Sequence, residues 1–167
     1  VRTYEAASRD PDDLVRYAAV AGLASLEPRR RSGAFGRLLS DPLRAIRTHA
    51  AGVAINQLNA QEQSTLQPQL GLALEEYVDS NLLNAETPGA NVNLASVALT
   101  RGQFSQAHTP LTDALSINPQ FLPALLNMAD LLRAQNKDCD AQPFLLTALN
   151  LNLDMAEVEY AYAMWLV

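Results

Sequence analysis

The sequence predicts an all-α protein built from repeated helical hairpins. Two stretches match each other at a shift of 34 residues without a gap, and an earlier pair of segments matches at a shift of 31 residues. No stretch alternates apolar and polar residues like a half-buried strand, and the turn-forming residues recur at hairpin spacing. A fixed period of this length is typical of stacked helical repeats. Because such repeats usually present a surface to partners, they favour a binding function over catalysis.

The shorter repeat lies in residues 1–58. Its matched positions are an Asp-Pro turn, an apolar-Arg pair and an alanine, namely Asp10, Pro11, Val15, Arg16 and Ala19, then Asp41, Pro42, Ile46, Arg47 and Ala50. This pattern predicts inner helices at 12–26 and 42–58, with an outer helix at 29–39 between them. Residues 59–67, which are rich in glutamine, are predicted to join this array to the next.

The longer repeat occupies residues 68–167. Its recurring positions are Ala90, Asn93, Ala95, Ala107, Leu111, Ala114, Leu115 and Asn118, then Ala124, Asn127, Ala129, Ala141, Leu145, Ala148, Leu149 and Asn152. Small residues alternate with large apolar ones such as Phe104, which allows neighbouring helices to interdigitate. Ala163 falls on the small-residue site of the last repeat. The register predicts a half repeat at 68–87, full repeats at 88–121 and 122–155, and a truncated repeat at 156–167.

Turn and proline residues refine these helices. Gly102 and Asn136 occupy equivalent turn positions, where a positive φ is often needed. Pro110 lies inside a predicted helix and is expected to kink it or to delay its start. Pro143 is expected in the first turn of its helix, with Asp140 as the N-cap.

The two arrays resemble two known repeat families. Residues 88–155 resemble the tetratricopeptide repeat in their period and their small-residue positions, although the family's tryptophan site holds Asn91 and Leu125. Residues 1–58 resemble short HEAT-like repeats, through the Asp-Pro turn and the apolar-Arg pair. The resemblances imply a right-handed α-α superhelix (solenoid) of helical hairpins, HEAT-like first and tetratricopeptide-like from about residue 68.

The order of the two arrays also resembles the C-terminal arm of certain bacterial multihaem cytochromes. That resemblance implies a docking arm of a periplasmic c-type cytochrome, with Cys-x-x-Cys-His haem motifs in a preceding domain. No such motif lies in this chain, and no cofactor is expected within it. The alternative is an adaptor of the envelope- or pilus-assembly kind. The periplasm is favoured over the cytoplasm.

Charge and composition exclude several functions. Residues 1–50 hold nine arginines against six acids, and residues 51–167 hold three basic residues against twelve acids, so the net charge of −6 is split as +3 and −9. Bulk acidity argues against nucleic-acid binding. No apolar run approaches the ~18 residues that cross a membrane. The chain starts at Val1 and ends at Val167 inside a predicted helix, so we expect it to be part of a longer protein.

Catalytic groups are sparse. His49 and His108 are the only histidines and fall in different arrays, without the spacing of a metal site. Cys139 stands between Asp138 and Asp140, which disfavours a reactive thiolate. We therefore expect a chain that is not an enzyme.

A partner groove is the strongest candidate site. The tetratricopeptide resemblance implies that the first helix of each hairpin lines a concave face, here with Asn93, Ser96, Thr100, Asn127, Asp130, Arg133 and Tyr160. An asparagine amide both donates and accepts, so it can hold the backbone of an extended peptide. The alternative is that these asparagines bond neighbouring helices or face water. The expected partner is a protein or peptide of unknown identity.

Two further surfaces follow from the sequence. An anion-binding patch would consist of Arg29, Arg30, Arg31, Arg44 and Arg47. The alternative is that Arg16 and Arg47 bond a neighbouring aspartate or a helix C-terminus, while the other arginines are solvated. The truncated last repeat is expected to expose apolar surface around Tyr162, Trp165 and Leu166, through which the chain would associate end to end or form a homodimer, as a result of the truncation.

Overall fold

The protein is all-helical in the computed structural model, which describes residues 2–23, 25–151 and 156–165. Those residues contain no strand, so the prediction of an all-α fold is confirmed. The chain divides into two compact units, Val1–Leu83 (unit 1) and Asn84–Val167 (unit 2). The helices of unit 1 are α1 (Arg2–Ala7), α2 (Asp13–Leu23), α3 (Pro28–Leu38), α4 (Arg44–Gln57), α5 (Ala60–Thr65) and α6 (Gln67–Leu82). Those of unit 2 are α7 (Pro88–Thr100), α8 (Phe104–Ile117), α9 (Leu122–Ala134), α10 (Asp138–Asn150) and α11 (Ala156–Trp165).

Unit 1 contains the predicted inner, outer and inner helices as α2, α3 and α4, each displaced by a few residues at its ends. It also contains α1, which packs on α2 and α3, and α6, which packs along α4. The helix of the predicted half repeat 68–87 therefore makes its contacts within unit 1. The two compact units divide after Leu83 rather than at residues 59–67.

The 31-residue repeat has a structural basis in two arginines. Arg16 and Arg47 each donate from Nη1 to both carbonyls of their own Asp-Pro turn, over 2.6–3.1 Å. Each arginine also donates from Nε to a carboxylate further along the chain, Arg16 to Asp41 and Arg47 to Glu76, both over 2.7 Å. These bonds join each Asp-Pro turn to the helix that follows it. They also join α2 to the second turn through Asp41, and α4 to α6 through Glu76. This arrangement confirms that Arg16 bonds a neighbouring aspartate.

The predicted joint is itself helical. Asn59 caps α5 through its side chain, which accepts from the Glu62 backbone N–H over 3.0 Å, and the Glu62 carboxylate accepts in return from the Asn59 N–H over 3.1 Å. This reciprocal pair is a capping box, which satisfies backbone donors that a helix start leaves open. Arg31 on α3 donates to both oxygens of the same carboxylate, each over 2.6 Å. Glu62 is therefore buried as a paired group that ties α5 to α3.

A glycine allows α4 and α6 to approach closely. A Cβ atom at Gly52 would lie 2.8 Å from the ring of Tyr77, closer than real Cβ contacts. Large apolar side chains complete the interior of unit 1, and those buried almost completely include Phe35, Leu23, Leu38, Ile46 and Leu70.

Unit 2 repeats its backbone hydrogen bonds as well as its residues. Gly102 and Asn136 adopt φ values of 68° and 58°, which confirms the positive φ expected at both turns. Their N–H groups donate to the carbonyl three residues earlier, over 2.9 Å in each turn. The next N–H groups, of Gln103 and Lys137, donate to the carbonyl five residues earlier over 2.8 and 2.9 Å. Both turns thus end their helices in the same way, one period apart.

The small-residue positions form the interior of unit 2. The fully or almost fully buried alanines are Ala95, Ala107, Ala114, Ala129, Ala141 and Ala148. Leu111 and Leu145 are buried beside them. Phe104, a predicted large core residue, instead remains 41% exposed at the start of α8, and Ala163, the small-residue site of the truncated repeat, is exposed. Both lie at the ends of helices, where fewer neighbours cover them.

Both interior prolines are accommodated without moving the helix starts. α8 begins at Phe104, six residues before Pro110, so the proline does not delay it. α10 begins at Asp138 with Lys137 as its N-cap, so the prediction of Asp140 as N-cap is wrong. Pro143 is the sixth residue of α10 and lies beyond the first turn, so the prediction of its position is wrong as well. The left-handed turn at Asn136 sets this start, at the position equivalent to that in the first hairpin.

Candidate binding surfaces

The candidate face of unit 2 begins on α7. Asn93, Ser96 and Thr100 are spaced three and four residues apart, so they share one side of the helix. Asn93 and Ser96 are half-buried, whereas Thr100 is exposed and its hydroxyl donates to the Ser96 carbonyl over 2.9 Å. Val92, directly before Asn93, is buried in the core. The polar part of this face on α7 is therefore centred on Asn93 and Ser96.

The face continues on α9, which packs against α7. Asn127 is half-buried, as its equivalent Asn93 is, and Asp130 one turn further on is mostly exposed. The same residue type at the same position of neighbouring helices gives a line of amides across the two hairpins. The half-buried asparagine thus recurs one period apart on this face.

Arg133 has a structural partner at the end of α11. Its Nη2 donates to the Met164 carbonyl over 2.9 Å, and it lies 3.8 Å from Asp130 and 3.9 Å from Asp138. The indole Nε1 of Trp165 donates to the Asp138 carbonyl over 2.9 Å. These two bonds attach α11 to α9 and to the start of α10. Arg133 therefore holds the last helix in place, which sequence periodicity did not predict.

The described part of α11 adds apolar surface. Tyr160 is 68% exposed and Met164 is also exposed. Tyr162 and Trp165, which were expected to form an exposed dimer surface, stack on each other with ring centroids 5.7 Å apart and pack against the core of unit 2. Both side chains are half-buried, so part of each remains exposed, and a homodimer through this surface stays a prediction. Leu166 lies outside the described residues.

The arginines of unit 1 are mostly engaged by partners. Arg31 bonds Glu62, and Arg47 bonds Glu76. These bonds lower the pKa of Glu62 and that of Glu76, so both carboxylates stay charged. Arg44 donates to the backbone carbonyl of Glu76 over 3.3 Å. The structure thus places Arg31 against α5 and Arg44 and Arg47 against α6.

One member of the predicted anion patch, Arg30, forms no ion pair within the described residues. Arg30 is exposed on α3, and the side chain of Arg29 lies outside the described residues. Of the other three, Arg31 and Arg47 are paired with carboxylates within unit 1, and Arg44 bonds a backbone carbonyl. The alternative interpretation therefore holds only in part, because Arg31 is paired rather than solvated and the carboxylate partner of Arg47 is a glutamate.

A small polar pocket surrounds His49. Its ring lies 4.4 Å from that of Tyr17, and the pocket, of about 260 Å³, also contains Tyr77 and Asn81. Burial lowers the pKa of His49, although the Tyr17 backbone raises it in part. This surrounding of His49 was not predictable as a motif, because its aromatic neighbours Tyr17 and Tyr77 lie on two other helices, α2 and α6.

We expect unit 1 to lose stability as the pH falls below about 6.5, the ordinary pKa of histidine. Because the folded-state pKa of His49 is lowered, the unfolded chain takes up the proton first, and protonation favours unfolding. Urea unfolding at pH 7.5 and 5.5 measures this loss. A His49→Phe variant should show a smaller loss between these two values; an equal loss would exclude His49 as its source.

A larger pocket lies beside α6 within unit 1. It measures about 590 Å³ and is lined by Leu39, Ser40, Arg47, Pro68, Gln69, Leu72, Glu75, Glu76 and Asp79. We call it the α6 pocket. This pocket was not predicted from the sequence. The residue that could have indicated it is Leu72, a large apolar residue on the exposed side of the acidic helix α6.

Comparison with known proteins adds no assignment. No family model, no curated protein and no solved structure matches the chain. Among the described helices, none has the length and apolar character needed to cross a membrane. We therefore infer function from the candidate surfaces of the two units.

Proposed function

We propose that the chain is a non-enzymatic scaffold that binds a segment of a protein partner along α7, α9 and α11 of unit 2. The observation that carries this proposal is the repeated polar face, with Asn93 and Asn127 half-exposed at equivalent positions of adjacent helices. Repeat proteins commonly use the face formed by equivalent helices for binding. We name this set of residues, Asn93, Ser96, Thr100, Asn127, Asp130 and Tyr160, the amide face.

The chemistry of the amide face suits an extended polypeptide. An asparagine side chain has two donors and an accepting oxygen, a set that can serve both the N–H and the C=O of a partner backbone. Asn93 also interacts within the chain, so only part of its capacity is left for a partner. Asp130 adds one exposed carboxylate, and Tyr160 adds an exposed aromatic ring. Contacts to the backbone give affinity without demanding one sequence, and the ring and the carboxylate supply selectivity.

We further propose that the hairpins of unit 2 continue in the right-handed superhelix of tetratricopeptide repeats, with the amide face on its concave side. Support comes from the two turns with the same hydrogen bonds and from the alanines buried one period apart. When turns and packing are equivalent, each hairpin is rotated by the same angle relative to the one before it. Repetition of that rotation along the chain produces a regular superhelix.

Site-specific photo-crosslinking tests the proposal. A photoreactive residue is placed at Asn127 in one variant and at Ser96 in another, and a third carries it at Asp113, which is exposed on α8. The proposal predicts that the probes at Asn127 and Ser96 capture the same polypeptide from the native host. It predicts no such product from Asp113.

The binding must also be reproduced with purified components. The captured polypeptide, or the segment that carries the crosslink, should bind the unmodified chain directly and should compete with crosslinking. Capture of the same polypeptide from all three positions, or of none from Asn127 and Ser96, would contradict the proposal.

A further inference from the structure

The α6 pocket has the size and lining of a binding site. Its volume of about 590 Å³ falls within the ~300–1,000 Å³ range of pockets that bind small molecules. Its lining is mainly apolar, with Leu39 at the end of α3 and Pro68 and Leu72 on α6. An occupant with an apolar body would therefore remove apolar surface from water on both sides of the contact.

Leu72 contributes apolar surface that is in contact with water while the pocket is empty, and that contact is unfavourable. It is 70% exposed, although it lies on a helix whose other side packs along α4. A single exposed leucine is common on protein surfaces. Here the exposed leucine borders a pocket, beside Pro68 and above the buried Leu39. An occupant of the pocket would cover it.

The charges around the pocket select the occupant. The positive charge of Arg47 is taken up by Glu76, with both groups hydrogen-bonded over 2.7 Å. Glu75 and Asp79 are exposed in the lining, and neither forms an ion pair within the described residues. The pocket therefore has a net negative lining, which attracts a cation and repels an anion.

The repeat pattern explains why this space is open. In the 31-residue register, the position equivalent to Asp41 is Leu72, so no third Asp-Pro turn follows. Helix α6 occupies this part of the chain, and Glu76 provides the carboxylate that binds Arg47. Arg47 therefore keeps a carboxylate partner, as Arg16 does. The Asp-Pro turn that would lie beside this ion pair is absent, and α6 occupies its place.

We propose that the α6 pocket binds a basic amphipathic segment of a protein partner, inserting an apolar side chain against Leu72 and a neighbouring lysine or arginine towards Glu75 and Asp79. This site is separate from the amide face and lies wholly within unit 1. Its ligand is defined by the apolar lining together with the negative charge.

The test uses a defined probe, a fluorescein-labelled helical peptide made of leucine and lysine with its apolar residues on one face. Fluorescence anisotropy should show saturable binding to the full chain. The double variant Glu75→Gln/Asp79→Asn should weaken it by about tenfold, as expected from the loss of two exposed ion pairs. Leu72→Ser should weaken it as well, since the apolar contact is lost. A peptide with glutamate in place of lysine should not bind.

Matched controls separate this site from general attraction to an acidic protein. Asp113→Asn removes an exposed carboxylate of unit 2 and should leave the affinity unchanged. Amide chemical shifts should move at Gln69 and Leu72 on addition of the peptide. Absence of binding, or equal weakening by Asp113→Asn and by the double variant, would overturn the proposal. Circular dichroism of each variant confirms that the fold is retained, as expected because all changed side chains are exposed.

Discussion

Replacing Phe35 by alanine is expected to destabilise unit 1 by about 3–5 kcal/mol. Phe35 lies in α3 and is completely buried, as are its neighbours Ala34 and Leu38. Removal of the ring loses its transfer free energy and leaves a cavity that helices fixed by ion pairs cannot fill easily. Urea unfolding followed by circular dichroism measures the change in the free energy of unfolding.

The matched control for Phe35 is Arg30→Ala, on the same helix. Arg30 is exposed, and surface substitutions usually change stability by less than about 0.5 kcal/mol. A cost for Phe35→Ala as small as that of Arg30→Ala would show that α3 does not pack as described.

Leu111→Ala and Leu145→Ala are each expected to cost about 2–5 kcal/mol in unit 2. Both leucines are almost completely buried, on α8 and α10, at positions one period apart. Because the repeat surrounds each with the same kinds of small residue, the two costs should be similar. Chemical denaturation of the two single variants measures them.

Leu146→Ala provides the control for this pair, because Leu146 follows Leu145 on α10 but is 40% exposed. It should cost clearly less than either buried leucine. A large cost at Leu111 with a negligible one at Leu145 would contradict the equivalence of the two hairpins.

The sequence predicted best what depends on local chemistry. Gly102 and Asn136 stand at turns that need a positive φ, and both adopt it. The alanines that recur at a period of 34 residues are buried in unit 2, as the period predicted. Arg16 was predicted to bond a neighbouring aspartate, and it bonds Asp41.

Helix α5 was missed although it carries a local signal. Asn59 followed three residues later by Glu62 is the pattern of a capping box, which marks a helix start. The abundance of glutamine suggested a joint instead. The packing of α6 on α4 has no comparable local signal, because it depends on the close approach at Gly52.

The candidate sites were predictable only in part. Asn93 and Asn127 follow from the period, because equivalent positions lie on equivalent faces. Arg133 was placed on the same face, but its bond to the Met164 carbonyl depends on the position of α11. The α6 pocket arises where three helices meet, and no spacing in the sequence encodes such a place.

The measurement that tests the central claim most directly is the affinity of the captured polypeptide for an Asn93→Ala/Asn127→Ala variant. Each lost amide removes about 0.5–1.5 kcal/mol of hydrogen bonding, so the account predicts binding weakened by about tenfold or more. The variant Asp113→Ala should bind like the unmodified chain, and the unfolding midpoint identifies any loss that comes from misfolding. Undiminished affinity in the double variant would contradict the amide face as the partner site.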